Sequence, residues 1–252
     1  MSNGGPDAGA GEELSGPFAV IAGGLSHERD ISLASGRNVV RELRALGVEA
    51  HSYDFDRNLL HTLERDKVVA ALPMLHGQCG EDGEIQTLLE LIGMPYVGSR
   101  SNSCRVAYDK ATARELLRRD GIPVPDSVGL SAQTFRDIGA AALMEHVMHR
   151  LGTRVVVKPA RGGSALGVAG VDGLAALPSA LVGTYAYCED ALVERFHDGL
   201  DVSVVVLEGE QGLTSLMPVA IEYEKGHEFD FSARYTAAVS YTHLTLPTNR
   251  EV

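Results

Sequence analysis

Short apolar runs that alternate with helix-like segments are the feature that most restricts how this sequence can fold. Residues 18–22 form an apolar run that ends at two glycines, as in a buried strand followed by a tight turn. Residues 48–55 and 68–75 are further strand candidates. Helices are predicted over residues 31–46 and 83–92, because apolar side chains recur on one face and a glycine follows. Strands that alternate with helices indicate a doubly wound parallel sheet.

The pattern changes after about residue 98. Helices are predicted over residues 106–120 and 135–150, and a β-branched strand over residues 153–158. Three closely spaced strand candidates follow, over residues 191–196, 201–207 and 213–222. Their spacing favours an antiparallel sheet over βαβ units. The expected fold class is therefore α/β, with a doubly wound N-terminal domain over residues 18–98 joined to an α+β part.

The two ends of the chain are interpreted as lying outside these domains. Residues 1–17 are rich in glycine, alanine and acidic side chains, and we expect a disordered leader. Residues 240–252 complete no predicted element and look like translated vector sequence, so they are left out of the fold prediction. An unusual but genuine C-terminal tail is the alternative.

Composition limits the classes of partner. The chain has 34 acidic against 22 basic side chains, a net charge of −12, and no Lys/Arg run longer than a pair, which argues against nucleic-acid binding. No stretch approaches the roughly 18 apolar residues of a membrane span, so a soluble, cytoplasmic protein is predicted. The three cysteines are far apart and form no CxxC pair, which favours free thiols over a zinc or disulfide framework.

A loop of small residues follows Lys158 and includes Gly162, Gly163 and Gly167. Exposed backbone N–H groups beside a fixed cation are typical of phosphate binding, and the hydroxyl of Ser164 adds a donor. The segment is neither a P-loop nor a dinucleotide-binding glycine motif. The residues alone leave open a phosphate cradle or a flexible hairpin with a surface lysine.

Two further polar segments follow strand candidates, at the position where α/β proteins bind ligands. Glu28 either pairs with a substrate ammonium group or is a carboxylate of a first helical turn. The role of His76 stays open, and the acidic pair at residues 81–82 is interpreted as helix capping. His146 and His149 have ligand-like spacing without acidic or cysteine partners, which favours a solvated helix face.

Taken in order, the motifs of the chain are GGxSxER, HGxxGEDGxIQxLLE, PYVGS, DK, KPxRGGSxxGV, ERF and FDFxARY. This order resembles the D-alanine–D-alanine ligases of the ATP-grasp superfamily, over roughly residues 18–238. The resemblance implies an ATP-grasp architecture with a central subdomain over residues 99–193 and an incomplete C-terminal subdomain over residues 194–239. It implies an enzyme that uses ATP and Mg²⁺ to form the D-Ala-D-Ala dipeptide of peptidoglycan through a D-alanyl phosphate.

The resemblance also implies roles for single residues. Glu28 would hold the ammonium group of the first D-alanine, with His76 beside its carboxylate. Ser164 would donate toward the reacting groups, and Tyr235 would belong to a lid that hydrogen-bonds with Ser164 and Glu28. The implied nucleotide-binding set is Lys110 and Lys158 at the phosphates, Gly162, Gly163 and Ser164 in the loop, Glu194, Arg195 and Phe196 at the adenine, Asp201 at the ribose, and Arg234 in the lid.

The chain also departs from the family pattern. Asp201 is a methylene shorter than the usual glutamate, Arg234 stands where a lysine is common, and Ala165 replaces a serine. The family's Mg²⁺ ligands follow the lid tyrosine, but here the suspect tail begins about five residues after Tyr235. No metal ligand is therefore assigned, and this chain is expected to be inactive.

Two alternatives to that reading stay open. The second substrate could instead be D-lactate or D-serine, or the chain could be a non-catalytic ATP-binding fragment. The resemblance also implies a homodimer, for which no feature of the sequence gives independent support.

Overall fold

The structure is a computed structural model that describes residues 15–209, 211–222 and 240–243. It divides into unit 1, Met1–Tyr108, and unit 2, Asp109–Val252. Each unit has a hydrophobic core of its own. None of the helices in the described ranges combines the length and the apolar character that a membrane crossing requires.

Unit 1 is built on a parallel three-stranded sheet in the order β2-β1-β3. Its elements are β1 (Phe18–Ala22), α1 (Arg29–Ala45), β2 (Ala50–Asp54), α2 (Leu59–Arg65), β3 (Ala70–Pro73), α3 (Glu84–Leu91) and α4 (Ser101–Tyr108). β1 is the central strand and is apolar throughout, with Ala19, Val20 and Ile21 all 0% exposed. The predicted parallel sheet is confirmed, whereas α2 and the separate helix α4 were missed by the sequence pattern.

α1 lies close against β1 because small residues face the strand. A Cβ added at Gly36 would lie 2.6 Å from the Cβ of Ala22, so the glycine permits the close approach. The buried hydroxyl of Ser32 accepts a hydrogen bond from the N–H of Gly23 at 2.8 Å and donates to the carbonyl of Met74 at 2.7 Å. These bonds join the helix to the carboxyl ends of β1 and β3.

Unit 2 contains a four-stranded antiparallel sheet in the order β4-β7-β5-β6. Its helices are α5 (Lys110–Arg119), α6 (Ala132–Ile138), α7 (Ala140–Leu151) and α8 (Leu177–Tyr185). Its strands are β4 (Ser127–Ser131), β5 (Arg154–Pro159), β6 (Ala169–Asp172), β7 (Asp190–Arg195), β8 (Asp201–Ser203), β9 (Val206–Gly209), β10 (Gly212–Ser215), β11 (Val219–Glu222) and β12 (Ser240–His243).

The two faces of the four-stranded sheet have different environments. Successive side chains of a strand point to opposite faces, and residues paired across neighbouring strands share a face. Val155, Val157 and Val193 are 0% exposed and belong to a core completed by side chains of α7 and α8. Lys158 pairs with Leu192, and Glu194, two positions further along β7, lies on the same face. The side chains of Lys158 and Glu194 are therefore both on the face opposite to this core.

Both long helices predicted after residue 98 are interrupted, and the predictions are wrong at the break. Asp109 has an extended backbone, φ −89° and ψ 102°, and its carboxylate accepts a hydrogen bond from the N–H of Thr112, which caps α5. Gly139 lies between α6 and α7 with φ +91° and ψ 148°, a conformation that favours glycine.

The predicted three-strand group is also rearranged. β7 confirms the first strand, but it pairs with β4 and β5 rather than with the strands that follow. The other two predicted strands are each divided, so that β9 and β10 form a two-stranded sheet while β8, β11 and β12 form another. Ser240–His243, which the fold prediction left out with the C-terminal tail, pair with β11 as strand β12. Residues 1–14 and 244–252 lie outside the described ranges.

Candidate active site

Unit 1 gathers polar side chains at the carboxyl edge of its parallel sheet. Asp54, at the end of β2, accepts a hydrogen bond from the N–H of Gly24 at 2.8 Å and forms an ion pair with Arg29 at 2.5 Å. The hydrogen bond from Arg29 lowers the pKa of Asp54 below its ordinary value. This clamp fixes the turn that follows β1 and leads into α1.

Glu28 is buried at this edge, with 6% of the residue exposed. It occupies the N-cap position of α1, where a carboxylate suits the helix dipole, although its side chain makes no capping hydrogen bond. Its carboxylate lies against Gly77, where an added Cβ would be 2.0 Å from Oε2. Ser26 links the two loops, since its hydroxyl accepts from the N–H of Glu28 at 3.2 Å and donates to the carbonyl of His76 at 2.8 Å. The edge thus presents a buried carboxylate, a group that suits a cationic partner.

His76 lies between a hydroxyl and a carboxylate. Its Nε2 is 3.2 Å from the Oγ of Ser35, and its Nδ1 is 3.6 Å from Oε1 of Glu81. The predicted capping role holds for Asp82, whose carboxylate accepts from the N–H of Glu84 at the start of α3. Glu81 faces the histidine instead.

Unit 2 has a cluster of three charged side chains beside the polar face of its sheet. One carboxylate oxygen of Glu194 is paired with Lys158 and the other with Arg114 of α5. Arg114 also donates to the carbonyl of Pro125, and it is the only buried residue of α5. One carboxylate therefore holds two cations, and the cluster keeps a positive charge.

Lys110 connects α5 to the loop of small residues. Its backbone N–H donates to the carbonyl of Ala160 at 2.9 Å, and its ammonium group donates to the carbonyl of Gly162 at 2.7 Å. Burial lowers the pKa of Lys110, and the nearby charge of Lys158 lowers it further. Two ammonium groups are thus held close enough to repel each other, an arrangement that an anion would relieve.

The same loop borders a cavity of about 140 Å³. Its lining residues are Lys110, Pro159, Gly162, Gly163, Ala165, Leu166 and Val168. A Cβ added at Gly162 would meet no atom within 4 Å, so the backbone here borders open space. The volume lies below the roughly 300–1,000 Å³ of a complete small-molecule site. The cavity is therefore large enough for only a part of a small molecule, and Lys110 is the one charged residue among the described residues that line it.

Both ends of the loop are fixed by buried groups. At its start, the N–H of Ala160 donates to the carbonyl of Asp190 at 2.8 Å. At its end, the hydroxyl of Thr184 in α8 donates to the carbonyl of Gly167 at 2.7 Å. Ser164, between the anchors, is 3% exposed. The loop connects the antiparallel strands β5 and β6 and is thus a hairpin, and these hydrogen bonds hold its two ends.

Arg195 and Phe196 do not join the cation cluster. The guanidinium of Arg195 is 3.3 Å from the carbonyl of Arg150 at the end of α7, and the ring of Phe196 lies 4.1 Å from the guanidinium of Arg154. Their backbone N–H groups donate to the carbonyls of Asp126 and Arg154. Any contact of these two residues with an adenine would use their carbonyl oxygens or side chains.

The remaining predicted site residues lie elsewhere or are not described. Asp201 opens β8 and is exposed. Arg234 and Tyr235 lie outside the described residues. Within the described ranges, no group of three or more His, Cys, Asp or Glu side chains is placed to hold a metal ion. These residues therefore do not provide a Mg²⁺ site, and no step is assigned to the metal. His146 and His149 are exposed on α7, as predicted.

Two contributors to the site were missed at the level of sequence. Arg114 pairs with a residue 80 positions away, and Thr184 contacts a loop 17 positions away. The only local signal was the spacing of Arg114 from Lys110, one helical turn apart in α5.

A parallel-sheet unit, an antiparallel-sheet unit and a glycine-rich loop next to two lysines agree with an ATP-grasp architecture. Comparison with known proteins agrees and gives the family. The model of the D-ala D-ala ligase C-terminus matches residues 116–252, more than half of the chain, and that of the N-terminus matches residues 57–99. The chain belongs to the D-alanine–D-alanine ligase family.

Individual relatives agree with this assignment. The D-alanine–D-alanine ligase of Geobacter sulfurreducens is 37% identical over 221 residues, which are 87% of this chain and 66% of the relative. The D-alanine–D-alanine ligase of Bacillus anthracis, solved in complex with ATP, superimposes with a TM-score of 0.73 at 26% identity, over 92% of this chain and 72% of that one. The VanG D-Ala:D-Ser ligase of Enterococcus faecalis gives a TM-score of 0.71 at 26% identity, over 90% of this chain and 76% of that one. The chain spans about two thirds of the length of the curated relatives it matches.

Proposed function

We propose that this chain carries the D-alanine and ATP sites of an ATP-dependent D-alanine–D-alanine ligase. The observation that carries the proposal is Lys110, which lines an open cavity at an anchored glycine-rich loop, together with Lys158 in the strand that leads into that loop. Because the chain belongs to the ligase family, we expect ATP and D-alanine to be the substrates of these sites.

The proposed chemistry has two steps. A carboxylate oxygen of the first D-alanine attacks the γ-phosphorus of ATP, and ADP leaves. The amine of the second D-alanine then attacks the acyl carbon, and phosphate leaves with formation of the amide bond. Both steps bring negative groups together, so cations must neutralise them and water must be kept away.

The residues of unit 1 would hold the first amino acid. Glu28 would pair with its ammonium group, because a buried carboxylate is stabilised by an opposite charge. His76, positioned by Ser35 and Glu81, would lie beside the substrate carboxylate.

The residues of unit 2 would hold the nucleotide. Lys110 and Lys158 would contact phosphate oxygens, the backbone of Gly162 and Gly163 would close over them, and Ser164 would donate toward the reacting groups. The family resemblance supports the remaining proposed contacts. Those contacts are Glu194, Arg195 and Phe196 at the adenine, Asp201 at the ribose, and Arg234 and Tyr235 in a lid.

Equilibrium binding tests both sites. Calorimetry with ADP should give saturable heat, and Lys158→Met should weaken binding by about tenfold, the value of one lost charge–phosphate contact. Arg136→Met, a control that removes an exposed cation of α6, should bind as tightly as the unmodified chain. Ligand-observed NMR should detect D-alanine but not L-alanine, and Glu28→Gln should lose that signal. Absence of ADP heat, or equal binding of both alanine enantiomers, would refute the proposal.

A second candidate keeps the fold and changes the second substrate. The similarity to the D-Ala:D-Ser ligase of Enterococcus faecalis favours D-serine as the alternative. Competition between D-serine and D-alanine for the second position, measured as the ratio of the two dipeptides, separates the candidates.

A further inference from the structure

Arg114 is an unusual residue for the helix that carries it. The other side chains of α5 are exposed or half-buried, whereas Arg114 is 9% exposed. Its guanidinium reaches two acceptors at once, the carboxylate of Glu194 in β7 and the carbonyl of Pro125. A buried guanidinium is retained where its charge and its fork geometry are both used.

The contact between Arg114 and Glu194 changes the net charge of the side chains around Lys158. If Glu194 were paired with Lys158 alone, the two side chains would form a neutral pair. With Arg114 on the second carboxylate oxygen, two cationic side chains face one carboxylate, so the formal net charge of the group of three is about +1. Lys110 adds a further positive charge at the same loop.

We propose that Arg114 is a positioning residue for nucleotide binding: by neutralising Glu194, it leaves the charge of Lys158 available to phosphate oxygens. The inference rests on the proposed ATP site. Arg114 itself does not line the cavity, so it acts through Glu194 and Lys158 rather than by touching the nucleotide.

Two substitutions of Arg114 test separately whether its charge and its fork geometry are needed for nucleotide binding. Arg114→Met keeps much of the apolar stem and removes the charge, so Glu194 is left to Lys158 alone, and ADP affinity should fall about tenfold in calorimetry on the full chain. Arg114→Lys keeps the charge and loses the fork, and its affinity should stay within about threefold of the unmodified chain.

A second substitution supplies the decisive control. Glu194→Gln in the Arg114→Met background removes the carboxylate that Arg114 neutralised and returns the net charge of the cluster to about +1. Because Glu194 is also a proposed adenine contact, recovery is measured with inorganic pyrophosphate, which has no adenine. Pyrophosphate affinity should fall about tenfold in Arg114→Met and return to within about threefold of the unmodified chain in the double variant. A purely structural Arg114 predicts no recovery, because the double variant has lost both ends of the contact.

The outcomes are distinguishable. If Arg114→Met folds and binds ADP normally, or if the folded double variant binds pyrophosphate as weakly as Arg114→Met does, the inference is overturned. If Arg114→Met does not fold, the double variant and Arg114→Lys test the inference instead, because both are expected to bind. A folded double variant that does not bind would overturn the inference. If the unmodified chain gives no ADP heat, the ATP site itself is refuted and the inference falls with it.

Discussion

Replacing Gly77 by alanine tests whether the close contact of the loop after β3 with Glu28 is needed for stability and for binding of D-alanine. Gly77 has φ +70°, and an added Cβ would lie 2.0 Å from Oε2 and 2.8 Å from Cδ of Glu28. The backbone strain of alanine at positive φ costs about 1 kcal/mol. The buried carboxylate must also move, which adds roughly 1–2 kcal/mol through its disturbed contacts. Gly77→Ala should therefore lose about 2–3 kcal/mol of unfolding free energy and its binding of D-alanine.

Gly47→Ala is the matched control. Gly47 ends α1 with φ +80°, and a Cβ there would meet nothing within 4 Å, so only the backbone strain of about 1 kcal/mol applies. Thermal unfolding should show a loss of about 4 °C for the control and two to three times that for Gly77→Ala, at about 4 °C per kcal/mol for a unit of this size. Ligand-observed NMR should find D-alanine bound to the control alone. Equal destabilisation of the two variants, with D-alanine bound to both, would refute the reasoning.

Two further predictions concern protonation. Burial and Lys158 lower the pKa of Lys110, and bound phosphate would raise it again, so ADP binding at alkaline pH should take up protons. Calorimetry in two buffers of different ionisation enthalpy measures this uptake, and uptake that persists in Lys110→Arg would contradict the prediction. Hydrogen bonds from the hydroxyl and the N–H of Ser101, and then from Tyr96, lower the pKa of Glu90 from 4.5 to about 2. The stability that this carboxylate contributes is complete above pH 4.5 and is lost as the pH falls toward 2. The unfolding free energy should therefore fall less steeply with falling pH in Glu90→Gln than in the unmodified chain. An equal slope in the two proteins would contradict the prediction.

Local patterns predicted the first unit well because its elements are connected in simple order. β1 is a continuous apolar run in a sheet that has helices packed on both of its faces. Such a run has few alternatives to a central parallel strand. The interruptions at Asp109 and Gly139 were harder to predict, since an aspartate or a glycine within an amphipathic pattern marks either a solvated position or a helix boundary. Only the packing against the rest of unit 2 decides between them.

Residues of the candidate site could be proposed from the sequence only where they lie in recognisable motifs. Glu28, His76, Lys110 and Lys158 belong to such motifs, whereas the partner of Glu194 on α5 does not. An arginine on an exposed helix is ordinarily solvated, and its burial follows from a strand that returns to it 80 residues later. Long-range pairings of this kind leave no periodic trace in the sequence.

The alternation along β5 and β7 has an evolutionary consequence. One set of side chains belongs to the hydrophobic core, and the intervening set includes Lys158 and Glu194 of the proposed nucleotide site. Substitutions at Val155 or Val157 are expected to alter stability, while those at Lys158 or Glu194 are expected to alter the proposed nucleotide binding. Drift in thermal tolerance and change in ligand preference can thus proceed along the same strands without obstructing each other.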